Sequence, residues 1–159
     1  MSSCVIPGSF DPVTRGHADL IRRAAAMFDR VTVVVMVNIA KKGVFSPEER
    51  ERMLRAACRQ MPGVRVERWD GLLSAYMREK GERTVIRGVR SGTEFDGEMA
   101  AAQANRILNP GMETLLMPAA EGMQWISSSA LREIAAFGGD IRPYVPPECA
   151  EEIVRGLSK

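Results

Sequence analysis

The sequence predicts a single α/β domain built on a doubly wound, five-stranded parallel sheet. Three observations lead to this fold class. The chain has 159 residues, which suits one domain. Its composition, 45% apolar and 26% charged, is that of an ordinary folded protein. Short β-branched runs alternate with helical segments along the whole chain, and strands separated by helices pair in parallel.

The first four elements have distinct signals in the sequence. Residues 4–6 form a short strand that ends at a Pro-Gly pair, and residues 17–29 carry the apolar stripe of a helix. Residues 31–38 are nearly all Val and Met, as expected of a strand covered on both faces. Ser46, Pro47 and Glu49 form a helix start with a capping box, so we expect a helix to about residue 60.

The second half continues the alternation. The remaining predicted strands are 64–67, 84–87 and 113–117, and the remaining predicted helices are 72–80, 94–108 and 127–137. A proline-containing tail from about residue 140 ends in one short helix. Ligands of such sheets bind beyond the carboxyl ends of the strands, so the loops of interest are 7–17, 38–46, 69–73, 88–98 and 118–129.

Charge and aromatic content argue against nucleic acid as a partner. The 22 basic and 20 acidic residues give a net charge of only +2, too even for a protein that wraps nucleic acid. The two Trp, two Tyr and five Phe lie mostly in apolar patterns, so an RNA-binding protein would lack its stacking platform.

Cysteine and hydropathy patterns indicate a cytoplasmic protein. The three cysteines are far apart and form no C-x-x-C pair, which argues against a disulfide framework or a zinc site and favours a reducing compartment. A single histidine excludes metal sites that need two. The N-terminus lacks a basic signal-peptide region, and the longest strongly apolar run, 31–37, is too short to span a membrane.

The loop at residues 7–17 is the first candidate site. It follows the first strand and opens the first helix, where free N–H groups and the positive helix end favour a phosphate. Gly8 and Gly16 permit close backbone approach, and His17, at about the first helical position, could reach that phosphate. The alternative is that His17 only caps the helix; the preceding strand, Gly16 and nearby Ser9 favour the phosphate.

Three further clusters lie at predicted loops. Ser127, Ser128 and Ser129 open a helix, where they supply phosphate donors or simply an N-cap. Arg87 and Arg90 flank Gly88 after a strand and form either an anion clamp or solvated surface. The loop with Lys41 and Lys42 either neutralises an anionic substrate or aids solubility.

Several common signatures are absent. The chain has no G-x-x-x-x-G-K-[ST] phosphate loop, no G-x-G-x-x-G after a strand and no G-x-S-x-G elbow with a later histidine. P-loop kinases, Rossmann dehydrogenases and α/β-hydrolases are therefore disfavoured.

Two of these clusters resemble the signatures of the nucleotidylyltransferase superfamily. Gly8-Ser9-Phe10-Asp11-Pro12 followed by Thr14-Arg15-Gly16-His17 resembles the first, H/T-x-G-H, and Ile126-Ser127-Ser128-Ser129 followed by Arg132 resembles the second, I-S-S-T/S-x-x-R. Four further features are similar to the phosphopantetheine adenylyltransferase family in particular. They are Thr14 at the first position of the H/T-x-G-H signature, I-R-G-x-R at 86–90, and the segments 41–50 and 69–73. The likeness runs from Cys4 to about Pro146.

The resemblance implies a Rossmann-like fold and adenylyl transfer from ATP to 4′-phosphopantetheine, giving dephospho-coenzyme A and pyrophosphate. It implies that His17 stabilises the transition state and that Ser9, Lys41, Leu73 and Arg87 bind phosphopantetheine. The ATP-binding residues that it implies are Ser9, Phe10, His17, Gly88, Val89, Arg90, Glu98, Met123, Gln124, Trp125, Ile126, Ser127, Ser128 and Ser129. Glu98 would accept hydrogen bonds from a ribose or fix an arginine.

The resemblance also implies Mg²⁺ carried by the ATP phosphates, with no protein metal ligand predicted, a homohexamer, and coenzyme A as a feedback inhibitor. Gly97, where relatives often carry a larger residue such as Tyr, departs from the family pattern. The alternatives are another small-molecule nucleotidylyltransferase, such as a cytidylyltransferase or a nicotinamide mononucleotide adenylyltransferase, and a non-catalytic nucleotide-binding module.

Overall fold

The computed structural model describes Met1–Lys159 and contains one five-stranded parallel sheet. Its strands are β1 (Ser3–Gly8), β2 (Arg30–Val37), β3 (Val64–Asp70), β4 (Thr84–Val89) and β5 (Glu113–Pro118). They lie in the order β3-β2-β1-β4-β5, and every neighbouring pair is parallel. The predicted fold class is confirmed.

Six α-helices accompany the sheet. They are α1 (Arg15–Ala25), α2 (Pro47–Ala57), α3 (Leu73–Lys80), α4 (Gly92–Leu108), α5 (Ser128–Ala136) and α6 (Ala150–Leu157). Two short 3₁₀ helices, Arg142–Tyr144 and Pro147–Cys149, precede α6 in the tail. No helix has both the length and the apolar character needed to cross a membrane.

Local capping fixes where the site helices begin. The Ser46–Glu49 capping box and Pro47 start α2 as predicted. Thr14 caps α1, so this helix begins earlier than the predicted residue 17 and ends at Ala25 instead of residue 29. His17 therefore occupies the third helical position, not the first, and forms a capping box with Thr14. Similarly, α2 ends at Ala57 and not near residue 60.

The chain order places the switch point at β1 and β4. After β3 the chain returns to the other side of β1 and adds β4 and β5, so the crevice at their carboxyl ends is the expected ligand site. β2 is buried along most of its length, as its apolar sequence predicts. Strands extend one to three residues beyond several predicted ends because pairing with neighbours recruits flanking residues.

The core consists of two apolar clusters. The larger cluster packs β1 and β2 against α1, α2, α5 and the tail, and the smaller one packs the other side of the sheet against α3. The tail also supports the loop before α2, because Phe45 packs against Gly156 so closely that a Cβ there would lie 2.1 Å from its ring. In contrast, α4 contains no buried residue.

Candidate active site

A cleft of about 300 Å³ opens at the carboxyl ends of β1 and β4, a volume at the lower end of small-molecule sites. Twelve residues proposed from the sequence line it. They are Ser9, Phe10, His17, Arg87, Gly88, Val89, Arg90, Met123, Ile126, Ser127, Ser128 and Ser129. The structure thus brings the imidazole and the hydroxyl triplet to one cavity, although they lie more than one hundred residues apart in sequence.

The turn after β1 has an unusual backbone. Phe10 is buried and adopts a left-handed conformation with φ of 49°, which is uncommon for a residue with a large side chain. Its ring lies against Gly8, where a Cβ would be only 3.0 Å from the ring and would force the ring to shift by a few tenths of an ångström. The same ring contacts His17 edge-on, with 4.9 Å between ring centroids.

The imidazole of His17 is held as a particular tautomer. Its Nδ1 accepts the backbone N–H of Thr14 at 3.0 Å, which requires Nδ1 to be unprotonated. Burial, and then the positive charges of Arg87 and Arg90, lower its pKa to about 4. At neutral pH the ring is therefore uncharged and carries its proton on Nε2, leaving this N–H to donate into the cleft.

Side chains from three elements hold the carbonyl groups at the end of β1 and in the loop that leads to α1. Arg87 donates to the carbonyl of Pro7 and Arg50 to that of Ser9. From α5, Arg132 donates to the carbonyl of Asp11, and Ser128 donates to that of Pro12 at 2.7 Å. The backbone N–H groups of Ser9 and Phe10 donate to no protein group, and both residues line the cleft.

The N-terminus of α5 combines capping with access to the cleft. The Ser127 hydroxyl accepts the N–H of Ala130 at 3.0 Å, so this serine is an N-cap, as the sequence alternative suggested. The Ser129 hydroxyl accepts a hydrogen bond from Arg132. All three serines line the cleft, where the positive end of the helix favours an anion.

The Arg87 side chain already donates several of its N–H groups to other protein groups. It forms a bidentate pair with Glu98, with distances of 3.0 Å (Nε to Oε2) and 2.8 Å (Nη2 to Oε1), and donates to the Pro7 carbonyl at 2.6 Å. Since a guanidinium has five N–H groups, two remain for a substrate. Arg90 pairs with Glu94 and donates to the carbonyl of Ile126 at 3.0 Å, which ties β4 to the α5 loop.

Five of the proposed site residues lie outside the cleft. Glu98 lies behind Arg87, and this contact matches the expectation that it fixes an arginine. Lys41 is on the exposed loop between β2 and α2, and half-buried Leu73 begins α3 and packs against the smaller core cluster. Gln124 is exposed, and Trp125 is 48% exposed with its ring edge-on to Tyr144.

The cleft also contains residues that sequence reasoning did not select. Leu20 and Arg23 follow Gly16 at spacings of four and seven, so helical periodicity could have indicated them. Arg23 donates to the carbonyl of Pro118 at 2.8 Å and pairs with buried Asp19. Ala119 and Ala120 line the wall next to Met123, but nothing in the sequence singles them out.

Comparison with known proteins identifies close relatives. Residues 5–134 match the family model described as cytidylyltransferase-like. The chain is 43% identical to a phosphopantetheine adenylyltransferase of Clostridium tetani, over 98% of this chain and 97% of that protein. It is 45% identical to a phosphopantetheine adenylyltransferase of Thiobacillus denitrificans, over 96% of both chains.

A solved structure supports the fold independently. It is the Plasmodium falciparum nicotinic acid mononucleotide adenylyltransferase complexed with NaAD, which superimposes with a TM-score of 0.67. The match covers 96% of this chain and 94% of that chain at 13% sequence identity, so it supports the fold alone.

Proposed function

Because the chain belongs to the cytidylyltransferase-like family and, within it, to the phosphopantetheine adenylyltransferases, we propose that it transfers an adenylyl group from ATP to 4′-phosphopantetheine. A phosphate oxygen of phosphopantetheine attacks the α-phosphorus of ATP in line. The bond from the α-phosphorus to the oxygen bridging to the β-phosphorus breaks, and pyrophosphate leaves with that bonding pair. The product is 3′-dephospho-coenzyme A, an intermediate of coenzyme A synthesis, and the reaction is reversible.

The observation that carries this proposal is the convergence of His17 and the start of α5 on one cleft. Phosphoryl-type transfer depends on positioning and on stabilising the charge that develops at the transferred phosphorus. A neutral Nε2–H of His17 donates to an α-phosphate oxygen as its charge grows. A proton on Nδ1 would break the Thr14 contact that orients the ring.

The nucleotide lies along the β4 and α5 side of the cleft in this proposal. Gly88 and Val89 at the end of β4, and Arg90 just after it, contact ATP. Glu98 acts through Arg87. The segment Met123 to Ser129 supplies the other wall: the serines at the α5 N-terminus meet the β- and γ-phosphates, and Met123 and Ile126 pack beside the base. Gln124 and Trp125 reach ATP only if this segment moves, because both lie outside the cleft.

Phosphopantetheine enters on the side nearer β2. Ser9 and the free N–H groups of Arg87 hold its phosphate, Lys41 adds a positive charge from the exposed loop, and Leu73 packs against the pantetheine arm. Asp11 supports this arrangement, since its buried carboxylate accepts the N–H groups of Val44 and Phe45, both at 2.9 Å, and so anchors the loop that carries Lys41.

Mg²⁺ fits this site as an ion brought by the nucleotide. The chain contains no group of three or more His, Cys, Asp or Glu side chains that could hold a metal. Mg²⁺ commonly retains several waters and binds substrate phosphates. Bound to ATP, it would neutralise charge on the leaving pyrophosphate.

The surface of α4 supports assembly into the homohexamer proposed for this chain. Phe95 and Met99 are each 42% exposed on a helix without a buried residue, and Leu115 is 48% exposed on the adjacent edge strand. Apolar patches of this kind mark protein interfaces.

We further propose that coenzyme A inhibits the enzyme by occupying the same cleft, because coenzyme A contains the structure of the product. We also propose that the protein works in the cytoplasm, since its three cysteines are free thiols, as a reducing compartment favours.

Incubation with ATP, Mg²⁺ and 4′-phosphopantetheine tests the proposal, with dephospho-coenzyme A and pyrophosphate as the readouts. Nicotinamide mononucleotide as acceptor and CTP as donor test the related transferases, and ATP binding without turnover would favour a non-catalytic module.

His17→Gln is expected to lower kcat by about 10²–10³-fold, as for loss of one transition-state donor, with little change in ATP affinity. Near-normal turnover by this variant would contradict the role of His17.

A further inference from the structure

Arg50 is a buried cation that the proposed reaction does not yet use. It lies on α2 and is only 7% exposed, and no carboxylate forms an ion pair with it. One Nη donates to the carbonyl of Ser9 at 2.8 Å. Its Nε is fully buried and has no acceptor at all.

These contacts do not account for burying the charge. An ionised group away from water costs several kcal/mol unless it is paired and its N–H groups are satisfied. A hydrogen bond to a charged group returns only about 1.5–3 kcal/mol. An apolar side chain of similar length would fill the same space without that cost, so stability alone gives no reason for an arginine here.

The single hydrogen bond of the Arg50 side chain falls at a strained point of the active-site loop. Ser9 precedes Phe10, whose left-handed backbone costs about 1–3 kcal/mol and persists only when neighbouring contacts impose it. Arg50 fixes the carbonyl on one side of Phe10, and the Asp11 carboxylate, held by Val44 and Phe45, fixes the other side. Between these two contacts, the N–H groups of Ser9 and Phe10 donate to no protein group, and both residues line the cleft.

We propose that Arg50 is a positioning residue for the transfer reaction. By holding the Ser9 carbonyl, it keeps the Ser9–Phe10 turn in the conformation that presents two backbone N–H groups and the Ser9 hydroxyl to the reacting phosphates. This inference rests on the proposed function, because it assigns Arg50 to the loop that holds the phosphates in that reaction.

A matched pair of variants separates positioning from general effects of charge. Arg50→Met removes the donor and the charge. Arg52→Met makes the same change two residues later on α2, where the side chain is exposed and pairs with Glu152. Steady-state kinetics are measured below the melting temperature of each variant and normalised to folded protein. We expect kcat to fall about 100-fold for Arg50→Met, the scale of a small misplacement of reacting groups, and to stay within about twofold for Arg52→Met.

The pattern of constants distinguishes positioning from a purely structural role. Positioning lowers kcat while KM for ATP changes less than about threefold, whereas a structural role lowers the melting temperature and leaves kcat per folded molecule unchanged. Arg50→Lys keeps a cation and one donor for the Ser9 carbonyl, so we expect kcat within about tenfold of wild type. This variant also serves if Arg50→Met fails to fold.

Three results would overturn the inference: kcat of Arg50→Met within twofold of wild type, an equal loss in Arg52→Met, or Arg50→Lys losing 100-fold or more while folded. The proposed function is judged separately. Wild-type turnover with phosphopantetheine reports on that function, whereas the ratio of variant to wild type reports on Arg50 with whichever phosphate acceptor the wild type uses.

Discussion

The protonation state of His17 can be measured directly, because it is the only histidine in the chain. Burial and the nearby guanidinium groups of Arg87 and Arg90 lower its pKa from 6.5 to about 4. At pH 6.5 less than about 1% of the folded protein should carry an imidazolium. Titration of the ring by NMR, with ¹⁵N shifts to identify the tautomer, should give a single transition near pH 4 and a proton on Nε2.

This shift has a defined effect on stability. Between pH 6.5 and 4 the unfolded chain binds the histidine proton and the folded chain does not, so the contribution of His17 to stability falls as the pH falls through this window. Linkage between a folded pKa of about 4 and the ordinary value of 6.5 gives roughly 3 kcal/mol of stability that is present at pH 7 and largely lost at pH 4. Urea unfolding of the wild type and of His17→Gln at pH 7 and at pH 4 isolates the contribution of His17 to the free energy of unfolding.

The lowered pKa of His17 also moves the acid side of the pH profile of kcat/KM to lower pH. The value of kcat/KM should show no loss assignable to His17 between pH 5.5 and 8, because the neutral donor predominates throughout. Arg87→Met should raise the pKa of His17 but leave it below 6.5, since burial is the larger cause. An imidazole pKa of 6 or above in the free protein, or a proton on Nδ1, would refute this account of the site.

Three further predictions concern other parts of the molecule. Lys41→Ala should raise KM for phosphopantetheine about tenfold while KM for ATP changes little, since the lysine lies on the acceptor side; an equal rise for both substrates would contradict that placement. Gly156→Ala should lower the free energy of unfolding by about 1–3 kcal/mol, because its Cβ would overlap the ring of Phe45; chemical denaturation measures this, and unchanged stability would contradict it. The three buried cysteines, whose pKa values burial raises to about 11–12, should not react with a thiol reagent at pH 8 until the protein unfolds, so rapid labelling of native protein would disprove their burial.

The local parts of the site were predictable because their causes lie within a few residues. Pro47 and the Ser46–Glu49 box define the start of α2, and Ser127 caps α5 through a bond to an amide three residues away. The β-branched run of β2 needs no knowledge of its partners to be recognised as a buried strand. The predicted position of His17 within α1 was less accurate, because the N-cap at Thr14 was not anticipated and the helix begins earlier than predicted.

Other site features depend on groups that the sequence keeps far apart. Glu98 was left with two alternatives, and only the packing of α4 beside β4 places it on Arg87. Lys41 and Leu73 carry motif resemblance, yet the structure places both outside the cleft, so their roles rest on the proposed substrate. Arg50 lies in the 41–50 segment that resembles the family, but only the structure shows its hydrogen bond to the Ser9 carbonyl.

The sequence by itself determined the alternation of strands and helices, the turns at the strand ends and the residue types that favour phosphate, because these follow from short-range backbone and side-chain preferences. Only the tertiary structure decided that His17 is a neutral donor, since its lowered pKa comes from burial and from two arginines, Arg87 in β4 and Arg90 just after it, some seventy residues away. It likewise decided which carbonyls the arginines hold, because a hydrogen bond between distant segments depends on the packing of the whole sheet and its helices.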